Sequence, residues 1–218
     1  LRWSTWRPEV FRGAFFSKPE DNLREVILMK SKSSLKTHRL AIVACLGALS
    51  FILMLFEFPV IPVVPYLKVD FSNVIVLIAT LIDGPLTGLA VAVVKAVLHA
   101  LVNGLSVGTL LGSFSDLLAT VALLLPFGWL MKDSHSQKRF WLSSLVGVLL
   151  MTVLMALANW WVLTPLYMKL WAWQPTLPIV KLVVMGVVPF NLIKGLLLVV
   201  VTDLIYVHLP SRVSGRLK

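Results

Sequence analysis

The sequence predicts an all-α membrane protein, a single polytopic bundle of six transmembrane helices with both termini cytoplasmic. Three observations carry that prediction. The 218 residues are 58% hydrophobic and only 14% charged, where soluble domains hold roughly 45–50% apolar and about 25% charged residues. Apolar runs close to the roughly 20 residues that cross a bilayer recur along the chain. The formal charge of +10 gathers mostly at the ends of those runs. Basic residues placed there act as topology signals, so no nucleic-acid partner is expected.

Residues 1–28 differ from the rest: four arginines, several acids and two tryptophans without a sustained apolar stretch. We read them as an N-terminal extension outside the working fold, and 29–218 as one membrane domain. The other reading is an interfacial amphipathic segment anchored by Trp3, Trp6, Phe11, Phe15 and Phe16. The first helix is expected from about Leu40 to Phe56, ending before Pro59, Pro62 and Pro65, which cannot continue it. A second runs from about Phe71 to Ile82 and stops at Asp83-Gly84-Pro85. It is short for a crossing, so it is tilted, re-entrant or packed inside the bundle. The third covers about Leu86–Val102, before Asn103-Gly104, and the fourth about Thr109–Met131. After the polar stretch 132–139, a fifth helix runs from about Trp141 to Leu163. A Pro- and Trp-rich loop, 164–178, leads to the sixth, about Val180–His208. No internal repeat is evident.

With six spans, both termini and the 132–139 loop share one side. That side collects Lys30, Lys32, Lys36, Arg39, Lys132, Lys138, Arg139, Arg212, Arg216 and Lys218, which makes it cytoplasmic. The Pro-rich 57–68 loop and the 164–178 loop then lie outside. Trp160, Trp161, Trp171 and Trp173 near that face suit an aromatic belt or stacking on a planar ligand.

No phosphate-binding loop, His-Glu-x-x-His pair or Gly-x-Ser-x-Gly elbow is present, so no enzyme activity of its own and no metal are expected. Cys45, the single cysteine, excludes an intrachain disulfide. Ser113, Ser115, Asp116 and His99 are better read as interhelical hydrogen bonders than as a hydrolase. The informative residues are two lysines in apolar surroundings, Lys95 and Lys194. A charge at bilayer depth costs about 2.5–3.5 kcal/mol or more unless it faces a partner, a cavity or a ligand. Asn191 precedes Lys194 by one helical turn, so both share a face, and Pro189 loosens the backbone before them. With Asn159 they supply donors and acceptors suited to a polar heterocycle or polyol. The plain alternative is interhelical glue, with Lys194 paired to Asp203 or another acid. Lys95, with His99 on its face, either contacts ligand or neutralises Asp70, Asp83 or Asp116. The segment Pro65–Asn73, with Tyr66, Leu67 and Lys68, offers a backbone edge and an aromatic ring as a lid over a site. Ala44 and Ala48 form a small-x-x-x-small pattern that lets another helix approach, within the bundle or from a different subunit.

Taken in order, several of these segments resemble the riboflavin-type substrate-binding (S) subunits of energy-coupling-factor (ECF) vitamin transporters. They are Pro65-Tyr66-Leu67-Lys68-Val69-Asp70-Phe71-Ser72, Gly84-Pro85, Lys95, Asn159, Thr164-Pro165-Leu166-Tyr167 and Pro189-Phe190-Asn191-Leu192-Ile193-Lys194-Gly195. The resemblance spans about residues 36–208. It implies a six-helix subunit of the bacterial cell membrane that captures a vitamin on the outer side. It also implies partners, a transmembrane coupling subunit and two cytoplasmic ATPase subunits. Riboflavin would be the transported ligand rather than a cofactor. The implied substrate-binding residues are Tyr66, Leu67, Lys68, Lys95, Asn159, Asn191 and Lys194; Ala44 and Ala48 are implied for docking.

Three positions depart from the family pattern. Asn73 stands where an acid is usual, Asp116 where an amide follows a small residue, and His99 where an amide is expected. These leave pantothenate or another vitamin precursor as alternatives. An autonomous ion-coupled transporter, with Lys95, Asp116 and Lys194 as a relay, is the reading from another class.

Overall fold

The computed structural model describes residues 19–208 except 62, 63, 65, 133–135, 173 and 176, with side chains described from residue 37. Eight α-helices account for nearly all of it: α1 (Pro19–Met54), α2 (Ser72–Asp83), α3 (Pro85–Val102), α4 (Val107–Met131), α5 (Gln137–Ala158), α6 (Thr164–Trp171), α7 (Ile179–Leu182) and α8 (Val188–His208). Two π-helical turns, Asn159–Leu163 and Val183–Val187, join α5 to α6 and α7 to α8. A two-residue antiparallel pair, β1 (Phe58–Pro59) and β2 (Lys68–Val69), closes the loop after α1.

The chain divides into two compact units, 1–41 and 42–218. The first is helical from Pro19, so part of the expected extension is helix, while residues 1–18 lie outside the described residues. The second unit holds the rest of α1 and every later element.

Five helical stretches are long and apolar enough to cross a membrane: Thr37–Met54, Pro85–Val102, Val107–Met131, Gln137–Trp171 and Ile179–His208. At most half of each is buried, and what faces outward is apolar, as with Leu86, Trp129, Trp161 and Leu204. Such a surface belongs in lipid. The sixth apolar helix, α2, has 12 residues and is buried over most of its length against α3, α4 and α8. It packs inside the bundle, one of the three outcomes its length allowed.

Local chemistry sets the helix ends. Gly84, at φ 91°, takes a conformation that a side chain disfavours, and Pro85 opens α3 immediately after it. Ser106 and Ser136 cap α4 and α5 by accepting from the backbone N–H groups of Thr109 and Arg139. Gly88 permits the tight α2–α3 contact, since a Cβ there would lie 2.0 Å from Thr80 Oγ1.

One expectation is corrected. The 164–178 segment is not a loop throughout, because residues 164–171 continue the α5 helix after the first π-turn. Proline lacks an N–H and clashes with a regular preceding turn. The wider π-turn ends at Leu163, two residues before Pro165, and places that proline in the first turn of a new α-segment. The same device recurs at Val183–Val187 ahead of Pro189.

On helix α1 the small residues split between two faces. Gly47 turns inward, where a Cβ would meet Val94 at 2.6 Å, while Ala44 and Ala48 are exposed. Ser50, also inward, donates to the Ser72 carbonyl at 2.8 Å and ties α1 to the start of α2.

Candidate functional site

A cavity of about 370 Å³ opens between the α1–α2 loop and helices α3, α4, α6 and α8, a volume within the roughly 300–1,000 Å³ of small-molecule sites. One side is aromatic. Tyr66 stacks on Tyr167 with ring centroids 4.3 Å apart and planes 16° apart. Tyr167 in turn leans on Trp171 at 5.0 Å. Tyr66 also shares a 2.7 Å hydrogen bond with Thr164, so the loop is pinned to α6 by a ring and a hydroxyl. Burial pushes the Tyr66 phenol up to about 12, against the lowering effect of the Thr164 bond. Gly108 and Gly112 line the cavity where α4 passes this aromatic group, a Cβ on Gly108 falling 3.4 Å from Trp171 Nε1. Thr109 and Ser115 add hydroxyls, and His99 and Asn103 add polar groups from the end of α3. His99 Nδ1 lies 2.9 Å from Ser113 Oγ.

The inner end is charged. Lys194 and Asn191, one turn apart on α8, both line it, together with Asp70 and Asp116. Lys194 Nζ is 3.4 Å from Asp70 Oδ2 and 3.5 Å from Asp116 Oδ1. These long contacts hold the ammonium by charge more than by aligned hydrogen bonds. Asp70 is buried, and its Oδ1 accepts from the Ser72 N–H at 2.8 Å and from the Ser72 hydroxyl. The Asn191 amide donates to the Val187 carbonyl at the end of the second π-turn, 2.8 Å away. The π-turn itself packs on the loop through Val64, Leu67 and Val69. At the rim Lys68 pairs with Glu57.

Lys95 lies behind this wall, not on it. It is fully buried and donates to Asn73 Oδ1 at 2.6 Å and Ser72 Oγ at 2.9 Å. Its Nζ is 2.7 Å from Asp116 Oδ2, an ion pair by proximity, although that oxygen has no aligned hydrogen bond among the described residues. Thr120 Oγ1 sits 2.7 Å from both Asn73 Oδ1 and the Asp116 carbonyl oxygen. Asn159 is likewise off the cavity surface. It is buried, its amide donates to the Met155 carbonyl at 2.8 Å, and its Oδ1 has no hydrogen-bond partner among the described residues. Met155, one turn away, does line the cavity.

Of the residues singled out in the sequence, the structure therefore gathers Tyr66, Leu67, Lys68, Asn191 and Lys194 on one cavity and sets Lys95 and Asn159 behind it. Asp203, a candidate partner of Lys194, instead accepts from Gln137 at 2.6 Å. The sequence reading named neither Tyr167 nor Asp70 as a ligand contact, although both stand in segments that carry the family resemblance. Tyr167 carried a usable signal, a tyrosine three residues after Thr164 on what proves to be helix. Asp70 stands in the Pro65–Asn73 lid segment, but its pairing with Lys194 carried no signal, because the two are 124 residues apart in the chain. Among the described residues, no group of three or more His, Cys, Asp or Glu is placed to hold a metal ion.

The chain has relatives among known proteins. Residues 38–206 match the family model described as ECF transporter, substrate-specific component. The riboflavin transporter FmnP of Bacillus subtilis (strain 168) is 38% identical over 181 residues, covering 80% of this chain and 93% of that protein. The riboflavin transporter RibU of Streptococcus thermophilus is 34% identical over 177 residues, covering 80% and 84%. The RibU of Staphylococcus aureus is 34% identical over 174 residues, covering 79% and 90%. A solved structure described as the S component of a bacterial ECF transporter superposes with a TM-score of 0.68 at 32% identity, covering 84% of this chain and 99% of the other. The chain belongs to the substrate-specific components of ECF transporters.

Proposed function

We propose that this protein is the riboflavin-specific S component of an ECF importer. The observation that carries the reading is the cavity's division into an aromatic side and a polar, charged end. A flavin has the same two parts, a flat ring system that stacks on tyrosine and an edge of carbonyls and ring nitrogens that Asn191 and Lys194 can hydrogen-bond. The relatives named as riboflavin transporters point the same way. Tyr66, Leu67, Lys68, Asn191 and Lys194 are the proposed contacts. Lys95 supports them through Asp116. Asn159 offers a buried acceptor that a donor on the ligand can satisfy after a small shift.

The remainder of the proposal concerns transport. α2 counts as a sixth, embedded segment, so both termini lie in the cytoplasm of a bacterial plasma membrane and the cavity faces outward; the basic 132–139 loop supports that orientation. The exposed Ala44–Ala48 face of α1 meets the transmembrane coupling subunit, whose two ATPases supply the energy that this chain has no phosphate-binding loop to provide.

The test is an absorption spectrum of detergent-purified protein from cells grown in rich medium. Flavin bands released by denaturation, at about one ligand per chain, are expected. A colourless protein that also fails to quench added riboflavin would refute the riboflavin assignment and leave the family intact.

A further inference from the structure

The charges around the cavity cancel. Glu57 and Lys68 pair at the rim, and inside, Lys95 and Lys194 face Asp70 and Asp116. Among these four inner groups Asp116 is the one that touches both lysines. Its Oδ2 is 2.7 Å from Lys95, while its Oδ1 is 3.5 Å from Lys194 and 3.2 Å from the Asn73 amide. It also lines the cavity, which Lys95 does not.

Deepening the riboflavin reading, and resting on it, we infer that Asp116 is a specificity-determining residue. By cancelling the second buried lysine at the cavity wall, it makes the site select an uncharged flavin over an anionic phosphate ester of the same flavin. With the ring edge beside Asn191 and Lys194, the phosphate of the ester lies elsewhere in the same cavity, where it sheds its water and meets the field of a cluster with no surplus positive charge. Lys194 is already shared between two carboxylates, and Lys95 has Asp116, Asn73 and Ser72 around its ammonium. A neutral ligand asks only for hydrogen bonds, and Lys194 can offer those because its present contacts are long. Without the Asp116 charge, two ammoniums would face Asp70 alone and the wall would attract anions. Discrimination of this kind works by repelling the wrong ligand as much as by holding the right one.

The test titrates detergent-purified protein with riboflavin and with riboflavin 5′-phosphate, following flavin fluorescence. The unaltered protein is expected to bind riboflavin at least about tenfold more tightly. Asp116→Asn should shrink that ratio by about tenfold or more, mainly by tightening the phosphate ester. Asp116→Glu, which keeps the charge, should retain the ratio. The double variant Asp116→Asn with Lys95→Met, which rebalances the wall, should return the ratio towards the original. Equal binding of the two flavins by the unaltered protein would overturn the inference without any variant. So would an Asp116→Asn protein in which both affinities fall by the same factor, the mark of a merely structural role. If the single variant does not fold, the inference still falls on equal binding by the unaltered protein or on a double variant whose ratio departs from the original by about tenfold or more. Failure of riboflavin to bind the unaltered protein removes the riboflavin reading and this inference together, whereas binding without discrimination removes the inference alone.

Discussion

Lys95 and Lys194 are both lysines on apolar helices, yet their surroundings differ in the respect that decides function. Lys95 has three oxygen partners between 2.6 and 2.9 Å and no exposed surface. Two of its three ammonium protons go to Asn73 and Ser72, and the Asp116 carboxylate balances its charge. Lys194 stands 3.4 and 3.5 Å from its two carboxylates and borders the cavity. The first arrangement joins α2, α3 and α4 at one point; the second leaves donor capacity facing an open space. A lysine in a membrane bundle is thus not by itself a ligand site. What matters is whether the protein has already satisfied it.

The largest effect that can break this contrast is on stability. Lys95→Met removes one side of a buried pair and leaves Asp116 with the distant Lys194 as its counter-charge and the Asn73 amide as its donor, a change that costs about 3–5 kcal/mol in buried ion pairs. Thermal unfolding of ligand-free protein in detergent should show a loss of that order, and a melting curve like that of the unaltered protein would mean that Lys95 is no structural centre. Lys194→Met should do the reverse. Riboflavin affinity is expected to fall by more than tenfold, about 1.4 kcal/mol or more, while the ligand-free protein loses less stability than with Lys95→Met. Asp70 keeps its bonds from Ser72, and Asp116 keeps Lys95. Unchanged affinity on titration would remove Lys194 from the site. The smallest effect sharpens the Lys95 half alone. Thr120→Val deletes a hydroxyl that backs the Asn73 oxygen holding Lys95, which is worth about 0.5–1.5 kcal/mol. Its melting temperature should drop slightly with riboflavin affinity unchanged, and an affinity loss like that of Lys194→Met would mean that the two lysines act as one unit.

Much of this architecture was legible because proline, glycine and charge punctuate the apolar runs. Asp83-Gly84-Pro85 marks the α2–α3 turn at the place where the chain needs φ 91°, and the polar stretch from Lys132 marks the end of α4, with α5 starting inside it at Gln137. The Asn191–Lys194 pairing was legible too, since residues three apart on a helix share a face whatever that face meets. The helical state of 164–171 was not. Pro165 signals a break, and only the π-turn before it converts that break into a helix start. The division between Lys95 and Lys194 was equally hidden. Asp70, Asp83 and Asp116 were all plausible partners for Lys95, and the choice of Asp116 depends on how α3 and α4 are packed side by side. Asp83 is engaged elsewhere, 2.6 Å from the Thr87 hydroxyl.

By itself, then, the sequence determined the class of the protein, the order and approximate limits of its long helices, and the presence of two costly intramembrane charges with one shared face at Asn191 and Lys194. Those properties follow from composition and from a 3.6-residue period, which are local. The tertiary structure alone decided that α2 lies inside the bundle, that Asn159 and Lys95 stand behind the cavity wall, and that Asp70 reaches Lys194 across most of the chain. A direct ion pair needs its charged atoms within about 4 Å, and distances of that size between remote segments exist only once the helices have packed.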